Sequence, residues 1–190
     1  NLTEENTKAL ALGIKNLEKH LETVKAFGLD FVVAVNRFLT DTDEEIKMLM
    51  TWAKEKNVEV ALSEVYGKGS LGGVELANKV VNKIKDVSYK PLYQRNESIF
   101  TKINKIATTC YGAKGVTYND ETFAMLQKLE QSEYKDFYIC MAKTPNSLTD
   151  NPKIIGRPED FTINIKEVRL ATGSEFIICL TGDIMTMPGL

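Results

Sequence analysis

Two hydrophobic periods alternate along the chain. From Thr7 to Phe27 the apolar residues Ile14, Leu17, Leu21 and Val24 recur every three or four positions, which places them on one face of an α-helix, and Gly28 supplies a stop. Phe31-Val32-Val33-Ala34-Val35 is apolar without interruption and rich in β-branched residues, which predicts a strand buried on both faces, as in a parallel sheet. Thr42-Asp43-Glu44-Glu45 is a capping-box sequence: the Thr42 hydroxyl can accept from a free amide at a helix start, and the Glu45 carboxylate can reach back to the Thr42 amide. The helix it opens carries Ile46, Leu49, Met50 and Ala53 on one face. Val58 to Leu62 reads as a second strand, a glycine-rich loop follows, and Leu76, Val80 and Ile84 mark a third helix.

Helix, strand, helix, strand, helix over residues 1–85 predicts crossovers between parallel strands. The expected fold class is therefore α/β: a three-layer parallel-sheet domain of Rossmann-like or P-loop NTPase-like topology over residues 1–90, then a smaller α+β portion over 91–190, with the boundary around Pro91 to Gln94. In the second portion Ser98 to Cys110 reads as a helix through Ile99, Ile103 and Ile106, and Asn119 can cap another that carries Phe123, Leu126 and Leu129. Phe137 to Met141 is a strand. Lys143 to Pro158 is a long polar loop with three prolines. Thr162 to Leu170 and Phe176 to Leu180 read as two strands of a hairpin around Thr172-Gly173-Ser174.

Composition narrows the class. Of 190 residues 43% are apolar and 26% charged, with a net charge of -2, the profile of a globular protein with no electrostatic case for nucleic acid. No apolar run approaches the ~20 residues of a membrane span, and the first residues lack a signal-peptide pattern, so a cytoplasmic protein is expected. Cys110, Cys140 and Cys179 are odd in number and without C-x-x-C spacing, which suits reduced, buried thiols. His20, the single histidine, sits among charged helix residues and reads as solvated or half-buried rather than catalytic. Both ends of the chain look cut, so a fragment of a longer protein is expected.

In parallel sheets ligands sit beyond the carboxyl ends of the strands. The loops leaving those ends here are Asn36 to Thr40 and Ser63 to Gly67. If the two strands are neighbours, Phe38 and Tyr66 overhang one crevice. The second loop runs into Gly67-x-Gly69-x-x-Gly72, the spacing of a dinucleotide fingerprint. That site also needs an acid about 20 positions on, at the end of the next strand. Asp86 has the distance but ends a helix pattern. No G-K-[ST] completes a phosphate loop. The glycines are left with three readings: an NAD(P) site, a tight strand-to-helix turn, or a loop shaping a pocket behind Tyr66. A non-catalytic oligomerisation module remains a further alternative for the whole chain.

Several strings taken together resemble formate–tetrahydrofolate ligase, and the chain is identified as similar to the later part of that family. They are Asn16-Leu17, Lys19-His20 and Phe27-Gly28, then "VVAVNRF" (Val32 to Phe38), "TDTDEEI" (Thr40 to Ile46), "GGVELA" (Gly72 to Ala77), "KINKIATTCYGAKGV" (Lys102 to Val116), "ICMAKTPNSLTDNP" (Ile139 to Pro152) and "GDIMTMPGL" (Gly182 to Leu190), in family order. The resemblance implies ATP-dependent formylation of tetrahydrofolate at N10 through formyl phosphate. It implies ATP with Mg as co-substrate, at a phosphate site in the family's N-terminal region, which nothing in this sequence matches. It further implies a homo-oligomeric parent enzyme acting on tetrahydrofolate, formate and ATP, with no nucleic-acid or membrane partner.

By that resemblance Phe38 and Tyr66 correspond to the aromatic pair flanking the pterin and adenine pocket, with Asn36, Leu39 and Gly67 beside them. The family usually carries Trp at the Tyr66 position, so stacking is expected to be weaker. It more often reads Gly-Gly-Glu-Gly where this chain has Gly69-Ser70-Leu71-Gly72, and it also departs at Pro145-Asn146 and Ser174-Glu175. Arg37 could meet the glutamate tail of folate, although an exposed surface Arg is the plainer reading. Lys143 could meet an anion, against a solvated Lys. Trp52 lies off its helix's apolar stripe and suits a domain or subunit contact. Asp41 and Asp43 to Glu45 read as capping residues rather than metal ligands. No catalytic residue and no metal site are expected in this segment.

Overall fold

A computed structural model describes residues 4–182. Of the family strings, all of "GDIMTMPGL" beyond Gly182 lies outside the described residues. The chain divides into two compact units, Asn1–Tyr89 and Lys90–Leu190.

In the first unit α1 spans Thr7–Ala26 and is capped by the Asn6 side chain, which accepts from the Ala9 amide at 2.9 Å. β1 (Val33–Asn36) and β2 (Val60–Ser63) pair in parallel, with Val33 opposite Val60 and Asn36 opposite Ser63. β1 starts later than the apolar run because its first ladder bond, from the Val33 amide to the Glu59 carbonyl at 2.9 Å, is set by where the partner strand begins. Between the strands lies α2 (Asp43–Glu55), opened by the expected capping box of Thr42 and Glu45. After β2 come the four-residue helix α3 (Val65–Lys68), a 3-10 turn over Gly69–Gly73 and α4 (Val74–Lys83).

α4 departs from expectation. Val80 and Ile84 are exposed, as are Val74 and Val81. The side toward β2 is partly polar: Lys79 donates to the Val60 carbonyl and Lys83 pairs with Glu59 at 3.1 Å. The helix thus meets the strand through lysine stems and leaves much of its apolar arc outside.

In the second unit α5 (Ile99–Lys105) runs directly into a π-helical stretch, Ile106–Tyr111, ended by Gly112 at φ 79°. The Thr108 hydroxyl donates back to the Asn104 carbonyl at 2.9 Å, occupying an acceptor of the regular helix ladder. β3 (Gly115–Tyr118), absent from the sequence reading, leads to α6 (Asp120–Glu130), capped as expected by Asn119. β4 (Tyr138–Ala142), β5 (Thr162–Ile165), β6 (Glu167–Ala171) and β7 (Phe176–Leu180) follow. The expected hairpin is present as antiparallel β6 and β7. The expected single strand over 162–170, however, is split at Lys166. β5 pairs in parallel with β3, while β6 joins β7. The Lys166 carbonyl is taken by the Asn119 side-chain amide at 3.0 Å and the Thr122 hydroxyl at 2.8 Å, which fasten the break to the start of α6.

The architecture is mixed α/β, as expected at that level. Its sheets are small: β1-β2 and β3-β5, both parallel, and the mixed β4-β7-β6. They do not display the expected three-layer arrangement, and β1 is not buried on both faces, since Ala34 and Asn36 are exposed. A strand with one neighbour has an open edge and nothing to complete the layer.

The core of the second unit joins Ile99, Ile103, Leu126, Ile139, Ile163 and Ile177. Inside it lies an unexpected cation. Lys102 is fully buried, and its ammonium donates to the carbonyls of Lys135 at 2.7 Å and Phe137 at 3.0 Å. Burial lowers its pKa, opposed by Asp136 and Glu130. A lowered lysine pKa means the unfolded chain holds the proton to higher pH, so stability should rise as pH climbs toward the ordinary lysine range of about 10.4. Lys102→Ala should cost about 3 kcal/mol in urea unfolding at neutral pH, through a cavity and two orphaned carbonyls. Lys102→Met should flatten the alkaline rise in stability.

Candidate functional site

The carboxyl ends of β1 and β2 stop level, at Asn36 and Ser63, and the Arg37 amide extends the pairing by one bond to the Ser63 carbonyl, 2.9 Å. Both loops therefore leave the sheet at the same point. The first is closed by Asp41. Its carboxylate accepts from the Phe38 amide at 2.8 Å and its own amide donates to the Phe38 carbonyl at 3.2 Å. The second loop winds at once into α3. The Glu64 carbonyl accepts from the amides of Gly67 (3.1 Å) and Lys68 (2.9 Å), and the Glu64 carboxylate pairs with the Lys68 ammonium.

This brings Phe38 and Tyr66 together. Their ring centroids are 5.6 Å apart, with planes inclined by 52°. Both rings remain open to solvent, Phe38 at 48% and Tyr66 at 70% of full exposure. Asn36 is exposed at the end of β1, Leu39 is exposed at the tip of the first loop, and Gly67 follows Tyr66 with open space where a side chain would stand. Sequence reasoning missed Asp41 and Glu64 as the residues that fasten the two loops. The available signals were an Asp three positions after Phe38, the spacing at which an acid reaches back to an amide as in a capping box, and the Glu64–Lys68 i,i+4 charge pair.

Other candidates have different surroundings. Arg37 is not a free surface arginine: it is half-buried and paired with Asp43. Lys143, in the second unit, is not a solvated lysine. Its ammonium donates to the carbonyls of Thr144 (2.9 Å), Ser147 and Thr149 (2.9 Å) and lies 5.0 Å from the centre of the Tyr111 ring. Burial lowers its pKa, with Asp150 opposing. All three donors serve the long loop after β4.

Trp52 is half-buried and makes its contacts within the first unit. Its indole donates to Glu18 at 2.9 Å, and with Leu17, Val33, Val35 and Leu49 it lines a 220 Å³ cavity between α1, α2 and the sheet. Cys179 is buried, and burial pushes its thiol up to about 12. Cys140, expected to be buried, is exposed because Ile139 takes the inward position of β4. Glu45 accepts from the amides of Asn6 and Thr42, which lower its pKa. Among the described residues no group of three or more His, Cys, Asp or Glu could hold a metal ion. Asp86 lies in irregular chain after α4, not at a strand end, so the glycine spacing lacks the acid a dinucleotide fingerprint requires.

Comparison with known proteins gives one consistent result. The family described as formate–tetrahydrofolate ligase matches residues 1–190. A curated relative, the formate–tetrahydrofolate ligase of Staphylococcus aureus (strain JH9), is 45% identical over 191 residues, a match that takes in 100% of this chain and 34% of the relative. The chain thus spans about a third of the length of that relative.

The Asp41 turn can be tested without any ligand. Asp41→Ala should speed hydrogen exchange of the Phe38 amide ~5-fold, the equivalent of about 1 kcal/mol of hydrogen bond, while Asp41→Asn, which keeps an acceptor, should change it little. Residue-resolved NMR exchange reads both.

Proposed function

The chain belongs to the formate–tetrahydrofolate ligase family, and from that premise we propose that it contributes the stacking pocket for the pterin of tetrahydrofolate and the adenine of ATP to an ATP-dependent ligase. The observation that carries this reading is the Phe38–Tyr66 pair, 5.6 Å apart beyond the level ends of two parallel strands.

The reaction has two parts. Formate attacks the γ-phosphoryl group of ATP, whose bond to the β-phosphate breaks to release ADP and give formyl phosphate; the N10 amine of tetrahydrofolate then takes the formyl group, losing its proton as phosphate leaves. We assign the phosphate and Mg chemistry to ligase residues outside this sequence, so this chain alone does not complete the reaction. The residues here bind and orient. Two aromatic faces hold a flat heterocycle by stacking worth about 1–3 kcal/mol per base-sized face. Asn36, Leu39 and Gly67 border the site, and Arg37 would be released toward the glutamate tail of folate only at the expense of its pairing with Asp43.

A heterocycle between two rings needs a centroid separation of about 7 Å, two van der Waals contacts. The rings are closer than that and inclined, so they part on binding. Phe38 stands on a short loop and Tyr66 on the four-residue helix α3, both outside the strands, so such a movement needs no change in the strands. In the assembled ligase β1 and β2 would be two strands of a larger, three-layer parallel sheet. The open edge of β1 and the exposed apolar arc of α4 support this. A homo-oligomeric, cytoplasmic parent enzyme is part of the same proposal.

Calorimetric titration of this chain with tetrahydrofolate, ATP and NAD⁺ tests the reading. Tetrahydrofolate should bind, Phe38→Ala and Tyr66→Ala should each weaken it ~10-fold, and Tyr66→Trp, with a larger face, should tighten it. Binding of NAD⁺ with silence toward tetrahydrofolate, or an unchanged folate affinity in both alanine variants, would overturn it.

A further inference from the structure

Gly67, Gly69 and Gly72 look equivalent in sequence, yet the structure separates them. A Cβ built at Gly67 or Gly69 meets nothing within 4 Å, and Gly69 instead needs glycine for its positive φ of 58°. At Gly72 the added carbon would stand 2.5 Å from both the carbonyl carbon and oxygen of Glu64 and 2.9 Å from the Val65 amide nitrogen. All three are backbone atoms, which cannot rotate away. The neighbouring Gly73 meets only the Val65 side chain, at 3.1 Å, and that can turn aside.

Glu64 is the joint of the loop. Its amide donates to the Gly72 carbonyl at 3.0 Å, and its own carbonyl receives the amides of Gly67 and Lys68, which form α3. The chain after β2 therefore winds out through Tyr66 and folds back until Gly72 lies on the Glu64 peptide. We propose that Gly72 is a positioning residue for the Tyr66 face of the pocket: the absence of a side chain lets the returning backbone lock the Glu64 peptide and with it α3. The Phe38 face hangs from the separate Asp41 turn. The spacing of the two rings is then set by how closely residue 72 approaches residue 64. Alanine there would need about 1 Å of backbone displacement to reach ordinary contact, and α3 would carry Tyr66 with it. The bearing on ligand binding rests on the function proposed above, whereas the bearing on ring position does not.

The test compares Gly67→Ala, Gly73→Ala and Gly72→Ala in the full chain. NMR contacts between the Phe38 and Tyr66 ring protons, measured without ligand, should persist in the first two and vanish in Gly72→Ala, while the methyl signals of the buried first-unit residues Ile14 and Val60 persist in all three. Tetrahydrofolate affinity should fall ~10-fold or more in Gly72→Ala and change less than ~2-fold in Gly73→Ala, whose added carbon meets only the Val65 side chain. A retained ring contact in Gly72→Ala, or an equal loss in Gly73→Ala, overturns the proposal. If no variant, the unmodified chain included, binds tetrahydrofolate, the functional reading fails and the ring contacts still decide this one. Should Gly72→Ala unfold the first unit, urea titration of the unmodified chain takes its place. Protection of the Glu64 amide and the ring contact should then be lost together, and a ring contact that outlives that protection would overturn the inference.

Discussion

The parallel pairing of β1 with β2 is the constraint from which the candidate site follows. Because Asn36 and Ser63 end opposite one another, two loops that are far apart in sequence begin side by side. A slip of one residue would turn every side chain of one strand to the opposite face and move one loop root relative to the other. The strands themselves contribute little to the pocket. They deliver two short loops to one place, and each loop then holds its own aromatic ring by local backbone bonds.

Those local bonds share a logic seen again in the second unit: backbone groups of irregular chain find charged or flexible partners close by. The Asp41 carboxylate takes the Phe38 amide. The Lys143 ammonium gathers three carbonyls of the long loop, and Lys102 takes two carbonyls beside the entry to β4. In both lysines burial disfavours the charge, and the carbonyls are what offset it. A lysine in such a cage acts as a structural staple, although its type and its polar neighbours in sequence suggest a surface residue.

What could be read in advance depended on the range of the interaction. The caps at Asn119 and Thr42 are legible because donor and acceptor lie within a few residues of each other. The aromatic pair at Phe38 and Tyr66 was legible from the strand-end rule and from the resemblance to the ligase family, but only on the condition that the strands be neighbours. β3 was not legible: four residues after a glycine turn carry no periodicity of their own and become a strand through pairing with β5. The break at Lys166 was hidden for the same reason, since its cause is a carbonyl claimed by Asn119 and Thr122 from another element. The outward apolar arc of α4 was missed because periodicity shows that a helix has two faces and not which one a strand will meet.

By itself the sequence determined the local elements of this protein: its helices and their caps, the turn chemistry and the aromatic character of the two loops. Each depends on dihedral preferences and hydrogen bonds within a turn or two of chain. Only the tertiary structure decided which strands pair, which lysines are buried and which glycine has backbone packed where a side chain would stand. Three glycines at fingerprint spacing are indistinguishable as letters. Their difference lies in what stands within a few ångströms of a missing Cβ, and for Gly72 that is the peptide of Glu64, brought there by the returning fold of the chain.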